Sequence, residues 1–277
     1  QHVDTTYSNY QDFGGVKVPT RIVQKQAEIE SFTATITSAS ANPANIVALL
    51  TPPPAPGRCG APGAPAAAGG PPPAPQVASE KMADGVYRIT GGYVALAIEF
   101  KDHIVVLESG QSEARGLAVL AEARKVIPNK PIRYVLNTHA HFDHGSGLAP
   151  VAAEGITIIT QQDNKAFLEK ALSAPRTLVG DNLAKANRKP KIEAVAEKRV
   201  LKDDTHAVEI YHVQNLAHTD GMLMAYLPKE RILFTADFNV PAMGQPPSPF
   251  LAVLVENADR LKLDFERHVL VHAPNPD

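Results

Sequence analysis

Residues 52–75 divide the chain. They hold ten of its 24 prolines, interleaved with glycine and alanine. Such a stretch lacks side chains that could build a core, and its prolines favour extended polyproline II with flexible glycine breaks. The 277 residues therefore cannot fold as one continuous unit. The expected organisation is a partial antiparallel β domain over 1–50, a Pro/Gly/Ala-rich linker over 51–80, and an ordered domain over 81–277. Cys59, the only cysteine, falls in the linker. It allows neither an intrachain disulfide nor a thiolate metal site, and reads as incidental.

In the first fifty residues, Val16, Val18, Thr20 and Ile22 alternate with Lys17, Pro19 and Arg21. Phe32, Ala34 and Ile36 alternate with Thr33, Thr35 and Thr37. A period of two is that of half-buried strands. Gly14-Gly15 marks a turn, and Pro19 is expected to place its strand at an edge or a bulge. So few strands read as the tail of a larger sheet whose front half is absent. The segment from Thr6 to Pro19 is similar to the last strands of outer-membrane-lipoprotein-like β domains, which points to a periplasmic or secreted location.

Lys and Arg number 27 against 29 Asp and Glu, so charge leaves no footprint for nucleic acid. No apolar run approaches the length of a transmembrane segment. A small molecule is the expected partner, and the oligomeric state stays open.

From Val86 the pattern changes. Strands are expected at Val86–Thr90, Tyr93–Phe100, His103–Leu107, Ile132–Asn137, Ile156–Thr160, Ala207–Val213, Met222–Tyr226 and Ile232–Thr235. A helix capped by Ser112 should run to Val126 before Pro128. Others are expected at Leu148–Ala153, Asp163–Leu172 and Phe250–Leu263. Residues 173–200, with Pro175, Pro190, Lys185, Arg188, Lys189 and Lys191, read as a loop or helical flap near the site, or more plainly as a solvated basic surface. Strands in two groups with interspersed helices imply an α+β sandwich flanked by helices.

The stretch Thr138-His139-Ala140-His141-Phe142-Asp143-His144-Gly145 puts three imidazoles and a carboxylate within six positions, directly after the apolar run Tyr134-Val135-Leu136. Neutral imidazole and carboxylate without thiolate is the donor mixture of divalent transition-metal sites. Ligands at a strand's C-terminal end occupy the usual place for function in α/β folds. Four ligands from one loop leave such a site incomplete. His218, Asp237 and His272 each lie at or just beyond the end of an expected strand. His268 competes with His272 but precedes the last apolar run, so His272 is preferred. His103, His206, His212 and His2 read as structural.

These residues resemble the metallo-β-lactamase-fold hydrolase superfamily over roughly 82–277. His139, His141, Asp143 and His144 match its H-x-H-x-D-H signature, and His218, Asp237 and His272 its later ligands in order. The resemblance implies an αββα four-layer sandwich. It implies two zinc ions, with iron or manganese as alternatives: His139, His141 and His218 on the first metal, Asp143, His144 and His272 on the second, and Asp237 bridging. It further implies hydrolysis of an ester, thioester, lactone or lactam carbonyl by a metal-activated hydroxide, with Asp143 orienting the nucleophile as a catalytic residue. The absence of a cysteine ligand, together with His218-Thr219-Asp220-Gly221, turns the resemblance toward the glyoxalase II and lactonase branch. The alternatives are a mononuclear-iron persulfide dioxygenase, which shares much of this ligand set, and an envelope binding module whose metal domain is a scaffold.

Overall fold

The computed structural model describes residues 3–26, 29–40, 43–44, 75–176, 180–238 and 248–272. The chain divides into two units, Gln1–Pro72 and Pro73–Asp277. Most of the expected linker, with Cys59, lies outside the described residues.

The first unit contains β1 (Val3–Asp12), β2 (Lys17–Gln26) and β3 (Ile29–Thr35) in an antiparallel sheet of that order. Gly14 and Gly15, both at positive φ, turn β1 into β2, and the Asp12 carboxylate accepts from the Gly15 N–H at 2.8 Å. The strand carrying Pro19 is thus the middle one, not an edge. The proline is tolerated because β3 stops short of it: the last β3 pair is Arg21 with Thr35, so Pro19 has a paired neighbour only in Tyr10 of β1.

The second unit contains two sheets. Seven strands, β4 (Ala78–Ala83), β5 (Val86–Thr90), β6 (Ala95–Glu99), β7 (Ile104–Leu107), β8 (Ile132–Leu136), β9 (Thr157–Gln161) and β10 (Lys191–Val195), lie in the order β10-β9-β8-β7-β6-β5-β4. Five more, β11 (Lys198–Lys202), β12 (Ala207–His212), β13 (Leu223–Leu227), β14 (Ile232–Thr235) and β15 (Arg267–Leu270), lie in sequence order.

Alternation along β6 and β7 sets the layers. Leu96, Ile98, Val105 and Leu107 meet Val208, Ile210, Leu223 and Ala225 of the smaller sheet in one core. Their neighbours Ala95, Ala97, Ile104 and Val106 face the opposite way, against helices. Those helices are α1 (Glu113–Val126), α3 (Leu148–Ala153), α4 (Gln162–Ser173) and α5 (Asn182–Ala186), which contribute Val119, Leu120, Val151, Leu168 and Leu183. The one-turn α2 (Phe142–Gly145) belongs to the histidine loop. The last helix, α6 (Pro249–Leu261), packs through Leu254 into the apolar cluster built around the smaller sheet. The result is the αββα sandwich.

Ser112 caps α1 by accepting from the Arg115 N–H at 3.2 Å. The described residues of this stretch, 173–176 and 180–200, depart from the flap reading. They end in β10 and β11, one at the edge of each sheet, and Leu183 of α5 is buried among the outer helices. Lys185, Arg188, Lys189 and Lys191 are exposed, so these four side chains form a solvated basic surface. Among the described residues, no helix is long and apolar enough to cross a membrane.

Candidate metal centre

Parallel pairing brings the site together. β7 and β8 run parallel, so Glu108 and the loop from Asn137 emerge at one end of the larger sheet. β14 and β15 run parallel, so Asp237 and His272 emerge together from the smaller one. Two backbone bonds tie the sheets there: Leu223 N–H to the Thr138 carbonyl at 2.8 Å, and Val94 N–H to the Val271 carbonyl at 2.7 Å.

Seven side chains converge in two groups. His139, His141, His218 and Asp237 offer donor atoms within 4.8 Å of one another, and so do Asp143, His144 and His272. In the first group, His139 Nε2 lies 2.9 Å from His141 Nδ1, 3.4 Å from His218 Nε2 and 3.1 Å from Asp237 Oδ2. In the second, His144 Nε2 lies 3.1 Å from His272 Nε2 and 3.5 Å from Asp143 Oδ2. Asp237 faces both. Its Oδ2 is 2.6 Å from His218 Nε2, while its Oδ1 is 3.3 Å from His144 Nε2 and contacts His272 Nε2.

These separations suit a metal. Tetrahedral coordination with bonds of about 2.0–2.1 Å sets donor atoms about 3.3 Å apart. Imidazole nitrogens drawn this close cannot all satisfy one another by hydrogen bonding, whereas a cation accepts every lone pair at once. The residues therefore fit divalent metal. His268 stays outside both groups, its Nε2 2.8 Å from Thr235 Oγ1.

The local electrostatics agree. Burial depresses the pKa of His139 and of His141, keeping their rings neutral. Burial works the same way on His144, but the Glu108 and Asp237 carboxylates outweigh it and raise its pKa to about 10. A site of this kind attracts positive charge, and a metal bound there would displace the proton. Asp237 is held far below the usual carboxylate range: burial opposes this, but hydrogen bonds from His139, His144, His218 and His272 prevail. Burial also opposes the lowering at Asp143, where the Tyr93 phenol donates to Oδ2 at 2.9 Å. Burial first, then Asp143, pushes Tyr93 up to about 12.

Sequence reasoning missed the supporting residues. Glu108, fully buried at φ 68°, accepts at Oε1 from the N–H and hydroxyl of Thr138, both at 2.7 Å, and faces His144 Nδ1 with Oε2. Asn137 donates to the His144 carbonyl at 3.1 Å and accepts from Thr160, and Asn164 reaches on to Thr160 and to the Gly221 carbonyl at 2.6 Å. This buried relay connects the first histidine loop to the loop carrying His218. A groove of about 340 Å³ adjoins the first histidine loop, lined in part by Ala140, Phe142, Phe167 and Leu172.

A family model described as the metallo-beta-lactamase superfamily matches residues 90–250. The fold is similar to a metallo-beta-lactamase from Pontibacter korlensis, at 18% identity and a TM-score of 0.56 over 73% of this chain and 94% of that one. It is also similar to the metallo-beta-lactamase FIM-1 from Pseudomonas aeruginosa in its mono-zinc form, at 16% identity and a TM-score of 0.53 over 72% and 88%. Among curated proteins, the 2,4-dinitroanisole O-demethylase subunit alpha of Nocardioides sp. (strain JS1661) is 24% identical over 207 residues, 72% of this chain. The match spans 58% of that relative's length.

Proposed function

The chain belongs to the metallo-beta-lactamase superfamily, and from that membership we propose that it is a dinuclear metallo-hydrolase, with zinc as the metal. Its substrate is a small molecule with an ester, thioester, lactone or lactam carbonyl. The observation that carries this reading is the split orientation of Asp237, with Oδ2 toward His139 and His218 and Oδ1 toward His144 and His272. A single carboxylate turned both ways is what a shared pair of cations requires.

His139, His141 and His218 would hold the first metal, Asp143, His144 and His272 the second, and Asp237 both. Such a pair supplies Lewis acidity and a water that ionises near neutral pH. The chain's own groups do the rest. Asp143, fixed by Tyr93, orients the attacking water and takes its proton. His139 and His144 are sealed from solvent at the base of the site, which strengthens every charge interaction above them. The buried Glu108 and Asn137 keep the loop from rearranging as charge develops.

The test is metal content of the purified protein by elemental analysis, followed by hydrolysis of a panel of lactones, thioesters, phosphodiesters and β-lactams. Roughly two metals per chain and loss of activity with chelator are expected. A folded protein that holds no metal would sink the reading. One iron per chain with oxygen consumption would move it to a persulfide dioxygenase. The O-demethylase relative favours a second substrate class, the aryl methyl ether. Turnover of 2,4-dinitroanisole in the same panel would select it.

A further inference from the structure

The phenol of Tyr93 is built into the site beside the second ligand group, bonded to one of its members, Asp143, and stacked near another, His272. We propose that Tyr93 is a positioning residue that sets the second metal position through Asp143, an inference that rests on the dinuclear reading above.

The phenol O–H donates to Oδ2 of Asp143 at 2.9 Å. That oxygen is also the one that faces the second group, 3.5 Å from His144 Nε2 and 3.8 Å from His272 Nε2. Tyr93 therefore holds the atom that a metal there would use. Asp143 needs such a hold, because it sits in the first turn of the four-residue α2 with its side chain 19% exposed. Among the described residues, its side-chain partners are Tyr93 and the ligand histidines His144 and His272.

Tyr93 is itself well fixed. Its ring centroid is 4.3 Å from that of His272. Its carbonyl accepts from the guanidinium of Arg115, 1% exposed, which also donates to the carbonyls of Thr90 at 2.9 Å and Ile89 at 3.3 Å. The next residue, Val94, bonds through its N–H to the carbonyl before His272. One segment thus touches all three second-group ligands, since the Tyr93 ring centroid also lies 5.6 Å from that of His144. Among the described residues, no hydrogen bond or ring contact joins Tyr93 to His139, His141 or His218, and Asp237, the first group's carboxylate, is held by four histidines. Loss of the phenol hydroxyl should therefore be felt on one side only.

The experiment is a Co²⁺ and Zn²⁺ titration of the metal-free full chain and of Tyr93→Phe. The first equivalent should bind as in wild type, which also reports an intact fold. The second should weaken by about 10–100-fold, the usual effect of an outer-sphere partner, with a changed Co²⁺ absorption spectrum for that equivalent alone. In an Asp143→Asn background, Tyr93→Phe should add no further loss. An unchanged second equivalent, equal loss of both equivalents, or an additive loss in the Asp143→Asn background overturns the inference by itself. A wild-type protein that takes up one equivalent overturns the dinuclear reading and this inference with it.

Discussion

Oε2 of Glu108 lies 3.2 Å from Nδ1 of His144, and both residues are buried. The contact leaves the other ring nitrogen, Nε2, facing His272 and Asp237. With Nδ1–H donated to the carboxylate, Nε2 keeps its lone pair free for a metal. The same carboxylate takes two hydrogen bonds from Thr138 on its other oxygen. Both oxygens of Glu108 therefore act as acceptors.

That double requirement makes Glu108→Gln a sharp test. An amide has one acceptor and one donor, so either orientation sets a donor against a donor, at Thr138 or at His144. We expect Glu108→Gln to lower metal affinity at the His144 side by about 10–100-fold. The measurement is competition with a chelator of known affinity. Binding as tight as wild type would show that Glu108 does not set the His144 tautomer.

How far the site could be read from sequence follows from distance along the chain. His139, His141, Asp143 and His144 are contiguous and follow an apolar run, so their chemistry stands out. His218, Asp237 and His272 could be found because each follows the end of an apolar strand. Tyr93 and Glu108 could not: their partners lie 50 and 36 residues away, and only strand pairing brings them together. A buried glutamate after an apolar run looks like any strand end. The sandwich was legible in the strongly apolar β6, β7, β13 and β14. The edge strands β10 and β11 were not, because the exposed residues of an edge blur its alternation.

The choice between His268 and His272 can be checked directly. The two lie on the same terminal segment, but only His272 reaches His144 and Asp237. We expect His272→Ala to bind one metal fewer than wild type and His268→Ala to bind as many. Elemental analysis of both proteins decides it, and the opposite pattern would return His268 to the ligand set.

Gly221 is close-packed rather than merely flexible. A Cβ there would stand 2.2 Å from Oδ1 of Asn164, whose amide donates to the Gly221 carbonyl. Asn164 is buried, so it has no room to withdraw. Gly221→Ala should cost about 1–3 kcal/mol of stability through overpacking and displace the loop that carries His218. Urea denaturation gives the first effect and metal affinity the second. Wild-type values for both would mean that the relay through Asn137, Thr160 and Asn164 is not what positions that loop.

The remaining prediction concerns acid stability and uses a histidine outside the metal groups. Burial lowers the pKa of His268 from 6.5 to about 4, while its Nε2 contacts the hydroxyl of the fully buried Thr235. Between these two values the unfolded chain binds a proton that the folded chain refuses. Stability from the neutral ring is thus complete above pH 6.5, falls as the pH drops toward 4, and changes no further below that. The loss should amount to roughly 1–3 kcal/mol, given 1.36 kcal/mol per pKa unit and a side chain not wholly buried. His268→Gln cannot titrate, and its amide can still bond Thr235. In chelator, which removes the contribution of metal release, the stability difference between wild type and His268→Gln should therefore vary with pH between 6.5 and 4 and level off outside that window. A difference that is constant from pH 7.5 to 4 would mean that His268 titrates alike in the folded and unfolded chain.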